Sequence, residues 1–142
     1  MSNKQLGTAD YPLAEKRPEL VRGRRGKSLD DVTLAAVVDG TVTLEDLSIT
    51  PAALLQQAEI ARAAGRPTLA QNFERSAELV DVPQDTIMLV YEMLRPGRAQ
   101  SKAELLSAAH DLRAKHGAEK MAAFIEEAAQ VYEQRGLFNK RF

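Results

Sequence analysis

The residues able to do chemistry are few, and their spacing works against most reactions. His110 and His116 stand six apart, which on a helix separates them by about 240° of rotation. A helical metal site needs the i, i+4 spacing instead, so these histidines read as surface groups, with His116 beside Gly117 suited to a helix C-terminus. Carboxylates come in neighbouring pairs, Asp30-Asp31, Glu45-Asp46 and Glu126-Glu127. Adjacent residues on a helix diverge, and acids in a first turn are ordinary partners of the helix dipole. Arg22, Arg24, Arg25 and Lys27 could grip phosphate, but no aromatics interleave with them and no recognition helix follows. GRPT and RPGR read as turns, because neither follows a strand or has the spacing of a phosphate loop. With no cysteine in the chain, disulfides, thiolate catalysis and cysteine-held metals are excluded. These residues point to no catalytic site, no cofactor-binding site and no metal site.

The elements that must carry these residues are helical. From Ile49 to Arg98 the chain reads as three short helices punctuated by proline. Thr50 is the N-cap of the first, with Pro51 at its first position and Ile49 and Leu54 spaced as a hydrophobic staple. Leu54, Ala58 and Ala61 share one face until Gly65. Leu69, Phe73, Ala77 and Val80 form the stripe of the second. The third starts near Pro83, aligns Ile87, Val90, Tyr91 and Leu94, and stops at Arg95-Pro96. Upstream, Ser28 with Asp31 and Thr43 with Asp46 mark helix starts. Downstream, Ser101 and Glu104 open a helix with Leu105, Ala108, Ala109 and Leu112 inward, and Gly117 closes it. A last helix aligns Met121, Phe124, Ile125, Ala128, Val131 and Tyr132 and ends at Gly136, leaving the tail LFNKRF. Tyr91 and Tyr132 read as core residues with the hydroxyl at the edge. The expectation is an all-α, compact bundle of short helices.

Charge divides the chain. Residues 1–27 hold seven basic and three acidic groups of totals of nineteen and twenty, so the remaining residues hold twelve and seventeen. A basic arm on an acidic body fits either an anionic surface or a partner protein along which the arm lies. Tyr11-Pro12-Leu13 and Pro18 favour the second, since proline holds the backbone extended and apolar anchors need burial. The domain expectation is an extended basic N-terminal arm over 1–27 and a single helical domain over 28–142, with Gly23 and Gly26 making a flexible break. No apolar run suggests a signal peptide or membrane span, which places the chain in the cytoplasm. Near-neutral net charge argues against a dedicated nucleic-acid binder. The residues alone suggest an interaction subunit. A stand-alone helical regulator using its basic arm on nucleic acid, and a small helical enzyme with an unrecognised acid/base pair, are the alternatives.

An ordered series of segments adds to this. DYPL at 10–13 is followed by SLDDVTLAAVVDGTVTLEDLSITP at 28–51, QQAEIARAAGR at 56–66 and LAQNFERSAEL at 69–79. Then come VP at 82–83, MLVYEMLRP at 88–96, ELLSAAHDL at 104–112 and AAFIEEAAQVYEQR at 122–135. In order and spacing the chain resembles the small (gamma) subunits of adenosylcobalamin-dependent diol and glycerol dehydratases. NFERxAEL and YxxLRPxR carry most of the specificity. Gly97 departs from the family pattern, which has an aromatic there. So do Ser76, in place of alanine, and the unusually basic Gly23–Gly26.

The resemblance implies a complex of large, medium and small subunits, present as a dimer of heterotrimers. Adenosylcobalamin would lie between the large and medium subunits, and metal ions on the large one. The implied reaction is radical dehydration of propane-1,2-diol or glycerol to an aldehyde, a lyase activity housed on the large subunit. None of the family's catalytic residues map onto this chain. Its implied role is to pack on the large subunit, with Tyr11, Pro12, Leu13, Arg95, Pro96 and Arg98 as partner-binding residues, and neither nucleic acid nor membrane as a partner. The chain begins a few residues before DYPL, without the N-terminal extension that resembles an encapsulation signal in microcompartment-associated diol dehydratases. In this it is more similar to the glycerol dehydratase type, and association with a bacterial microcompartment is left open.

Overall fold

A computed structural model describes residues 5–138. Met1–Lys4 of the arm and the last four residues of the LFNKRF tail lie outside the described residues. The expectation of an all-α chain holds: among the described residues there are helices and turns, and a single isolated bridge between Arg22 and Ser28. Contacts divide the chain into two compact units, Met1–Val80 and Asp81–Phe142.

In the first unit, described residues of the arm form three short helical turns, at Thr8–Asp10, at α1 (Leu13–Lys16) and at Pro18–Leu20. The prolines act at the joints: Pro12 caps α1 and Pro18 opens the third turn. Leu6 and Leu13 are buried with Ile60, and Leu20 and Val21 pack against them. The Glu59 carboxylate accepts a hydrogen bond from the Leu6 N–H at 2.9 Å, so a charged group holds the arm at Leu6. The Tyr11–Pro12 peptide is cis.

Two very short helices follow, α2 (Leu34–Val38) and α3 (Leu44–Leu47). Ser28 and Asp31 form the expected capping box, but on a single 3-10 turn at Leu29–Asp31; α2 is capped by Thr33, whose hydroxyl accepts from the Ala36 N–H. Thr43 and Asp46 cap α3 as their spacing predicts. Then α4 (Pro51–Ala63) and α5 (Pro67–Leu79) pack against each other, joined across Gly65, whose φ of 72° suits a residue without Cβ. Ala58, Ala61 and Ala70 are buried at this seam with Leu69 and Phe73 against them, and an Arg62–Glu74 ion pair at 2.5 Å crosses it. Ile49, read as half of a staple, stays more than half exposed, while Leu54 is buried.

The second unit holds α6 (Gln84–Leu94), α7 (Lys102–His116) and α8 (Glu119–Gln134). Ser101 caps α7 by accepting from the Glu104 N–H, and Gly117 ends it at φ 63° with the Gly117 and Ala118 N–H groups donating to Arg113 and Leu112 carbonyls. Leu105, Ala109 and Leu112 of α7 meet Ala122, Ile125 and Ala129 of α8 at a seam closed to water. Arg113 clamps the pair, donating to both Glu126 oxygens at 2.7 and 3.1 Å and to Glu119 at 2.8 Å. That pairing holds the Glu126 carboxyl below its usual range.

Two expected core positions are corrected here. Tyr91 is exposed, because Val90 is the residue α6 buries. Phe124 also sits on the outward side, since the inner face of α8 runs through the small residues Ala122 and Ala129. Tyr132 is half-buried as expected, its hydroxyl donating to the Leu94 carbonyl.

Candidate interaction surface

The basic loop Arg22–Lys27, expected to be a flexible break, is a stitched turn. The Gly26 N–H donates to the Gly23 carbonyl and the Gly23 N–H to the Lys27 carbonyl, each at 2.9 Å. Arg25 reaches across to α3: its Nε donates to Asp46 at 2.9 Å, and its Nη2 donates to the other Asp46 oxygen and to the Thr41 carbonyl. Asp46 is only 5 % exposed. A buried carboxylate requires such a cation, and the Arg25 hydrogen bonds, with that from the Thr43 N–H, hold its carboxyl at about 2. Gly23 is required because a Cβ there would lie 2.7 Å from the Asp46 carbonyl oxygen. Sequence reasoning missed this clamp. The only local signal was the Thr43-x-x-Asp46 box, which places Asp46 at the helix start but cannot name a cation twenty-one residues away.

The six residues read as partner-binding fall in both units. In the first, Tyr11 is 58 % exposed and Pro12 half-buried, whereas Leu13 is spent inside its own chain against Leu6 and Ile60. Tyr11 stands at the mouth of a cleft of about 350 Å³ walled by Ile60, Ala61, Leu69 and Phe73, with Thr8, Gln57 and Arg66 as its polar edge. Such a cleft can bury an apolar group but offers no nucleophile beside a base. In the second unit Arg95, Pro96 and Arg98 are exposed on the turn after α6, where Arg95 pairs with Glu92 at 3.1 Å. Gly97 there has φ 80°, a conformation that an aromatic at this position would adopt only at a cost.

A larger apolar surface lies where no site was expected. From Leu29 to Ile49 the chain carries Leu29, Val32, Leu34, Val37, Val38, Leu44, Leu47 and Ile49, and all eight are exposed; Val42 alone of the larger apolar residues there is buried. Leu34 and Val38 are each 80 % exposed and Leu44 is 83 % exposed. On α6 of the second unit, Met88, Leu89 and Tyr91 are exposed as well. Among the described residues no group of three or more His, Asp or Glu could hold a metal ion, and no helix is long and apolar enough to cross a membrane.

Helical units that turn large apolar side chains outward define an interaction subunit, a chain whose surface is completed by another protein. The comparisons name the kind. Residues 6–139 match the dehydratase small subunit family. The propanediol dehydratase small subunit of Citrobacter freundii is 51 % identical over 126 residues, covering 89 % of this chain and 73 % of the relative. That of Salmonella typhimurium is 48 % identical over 134 residues, covering 94 % and 77 %. The chain belongs to the dehydratase small subunit family, and is a subunit of a lyase complex with larger partner subunits.

Proposed function

We propose that this chain is the non-catalytic small subunit of an adenosylcobalamin-dependent diol or glycerol dehydratase. It packs on the large subunit of a complex that also contains a medium subunit, as a dimer of heterotrimers. The complex converts propane-1,2-diol or glycerol to the aldehyde and water, in the cytoplasm or within a microcompartment there. The observation that carries this reading is near 50 % identity to propanediol dehydratase small subunits along almost the whole chain.

Adenosylcobalamin supplies the radical that starts dehydration when bound to the holoenzyme. The residues of this chain do not fit it as a host: the cleft beside Tyr11, about 350 Å³, is at the small end of ligand sites and smaller than a corrin ring with its nucleotide arm. The cofactor and the metal ions therefore belong to the larger subunits in this proposal, and the small chain supplies apolar surface. Tyr11, Pro12 and the Arg95, Pro96 and Arg98 turn present contact groups, while Leu13 acts indirectly by holding the arm that displays Tyr11.

The test is capture of the C-terminally tagged chain from its native cells, with the eluate assayed for aldehyde formation from diols plus adenosylcobalamin. Co-elution of two larger chains with cobalamin-dependent activity is expected, and the substrate turned over fastest identifies the preferred diol. A chain that elutes alone, folded and inactive, overturns the proposal.

A further inference from the structure

We infer that the stretch from Leu29 to Ile49 is the docking face by which this chain seats on the large subunit, and that the seat is an apolar trough edged by lysine or arginine. The inference rests on the subunit reading above and adds the face and the chemistry of its complement.

The first argument is local. Helix α2 has five residues and α3 four, and α2 buries none of its side chains. Helices this short are not stable by propensity and are normally held by burying a face. Here they are held by caps and turns: the Thr33 N-cap, the Thr43–Asp46 capping box, the Asp39 carboxylate accepting from the Thr41 N–H at 2.9 Å, and the Val42 N–H donating to the Ala36 carbonyl at 2.9 Å. Caps fix the backbone but bury nothing. The Arg25–Asp46 clamp fixes α3 in the same way. A backbone held rigidly while its leucines and valines point to water is a preformed surface, with its ordering cost already met before a partner arrives.

The second argument is size. The exposed fractions of the eight side chains amount to nearly five whole residues, or on the order of 300–600 Å² of apolar area at the usual transfer coefficient. A standard protein interface takes about 800 Å² per partner, of which roughly 450–500 Å² is apolar. The stretch supplies the apolar core of one such face.

The third argument chooses the occupant. Between Ser28 and Ala61 there is no lysine or arginine, and six carboxylates. Asp30, Asp31, Asp39 and Glu45 are exposed around the apolar residues, and the Asp30 and Glu45 carboxylates accept no hydrogen bond among the described residues. From the neighbouring loop Arg22 and Lys27 act on Asp31, Lys27 also acts on Asp39, and Arg25 is committed to Asp46, which leaves Asp30 and Glu45 as the rim's unpaired carboxylates among the described residues. A second copy of this chain docking through the same face would set carboxylates against carboxylates, and an anionic lipid surface or nucleic acid would be repelled likewise. A larger subunit with cations around an apolar trough meets both requirements.

The test co-expresses the full chain with its large and medium subunits and captures the complex through a tag on the large subunit. The variant Leu34→Ser with Val38→Ser and Leu44→Ser should fall at least tenfold in recovery, while the purified variant keeps wild-type helical content, since none of the three side chains is buried. Asp30→Lys with Glu45→Lys leaves every apolar group in place and should slow association at least tenfold at low salt. Wild-type recovery of the triple variant overturns the face, and wild-type association of the lysine variant overturns the basic rim. A wild-type chain that dimerises alone through the face, with the triple variant monomeric, assigns it to a second copy and also overturns the inference. Failure of the wild-type chain to be captured at all strikes the subunit reading instead.

Discussion

Leu105 offers the sharpest test of how the second unit is held together. Its side chain has no exposure, and it lies on α7 at a seam whose other wholly buried residues are largely alanine, namely Ala109, Ala118, Ala122 and Ala129. Leu105→Ala removes three carbons, a transfer loss of ~2.4 kcal/mol. The hole that remains costs more the less its walls can move, and alanine has no rotamer with which to fill it. A residual cavity of ~80 Å³ would add ~2 kcal/mol. The expected cost is therefore about 4 kcal/mol, at the upper end for such substitutions. The neighbouring Leu106 is 39 % exposed, so Leu106→Ala should forfeit about 1.5 kcal/mol of transfer energy and leave no hole. Urea denaturation of the full chain, followed by far-ultraviolet ellipticity, gives both values with one slope. A loss below about 2 kcal/mol for Leu105→Ala would show that the seam relaxes despite its alanines. Equal losses for the two variants would refute the inward face assigned to α7.

Other expectations follow from the first unit and from Tyr132. Asp46 is held at about 2 by Arg25 and the Thr43 N–H, below its ordinary value in the unfolded chain. Its contribution to stability is complete above about pH 4 and is lost as pH falls toward 2; an acid titration of Asp46→Asn should lack that limb, and a wild-type profile in the variant would disprove the clamp. Gly23→Ala must push the loop off Asp46 and should reproduce the Asp46→Asn acid profile despite leaving both charged groups in place. Leu13→Ala should destabilise the isolated chain by about 2–4 kcal/mol whereas Tyr11→Ala should not, and only the latter should weaken assembly without a change in melting. Tyr132→Phe removes the hydrogen bond to the Leu94 carbonyl and should cost about 0.5–1.5 kcal/mol, read from the same urea curves.

Much of the helical layout was legible because helix ends are chemically marked. Thr50-Pro51, Ser101 and Gly117 act through their own backbone and nearest turn, so the sequence around each suffices. What escaped depended on other parts of the chain. Helical spacing places Tyr91 and Phe124 on inner stripes, yet α8 buries alanines, and periodicity cannot rank a small residue at a tight seam above a large one beside it. Arg25 and Asp46 are local nonentities that become a pair only when the loop folds over α3. In the apolar run 29–49 the sequence marks the helix starts at Ser28 and Thr43 but not which way the side chains face. Hydrophobicity shows that a surface is to be buried, and leaves open whether the same chain buries it. For the same reason Leu13 was grouped with Tyr11 as an outward anchor, when one faces in and the other out.

The alanine seams of α4–α5 and α7–α8 have a consequence for how this sequence can vary. At Ala58, Ala61 and Ala70, and again at Ala109, Ala122 and Ala129, every replacement except glycine is an enlargement, and it must be taken up by the few large side chains beside them, Leu69 and Phe73 in one seam and Leu105, Leu112 and Ile125 in the other. Drift at these positions is thus one-sided. Adjustment to a changing partner must be made by the long side chains on the outer faces, so surface and seam should diverge at very different rates.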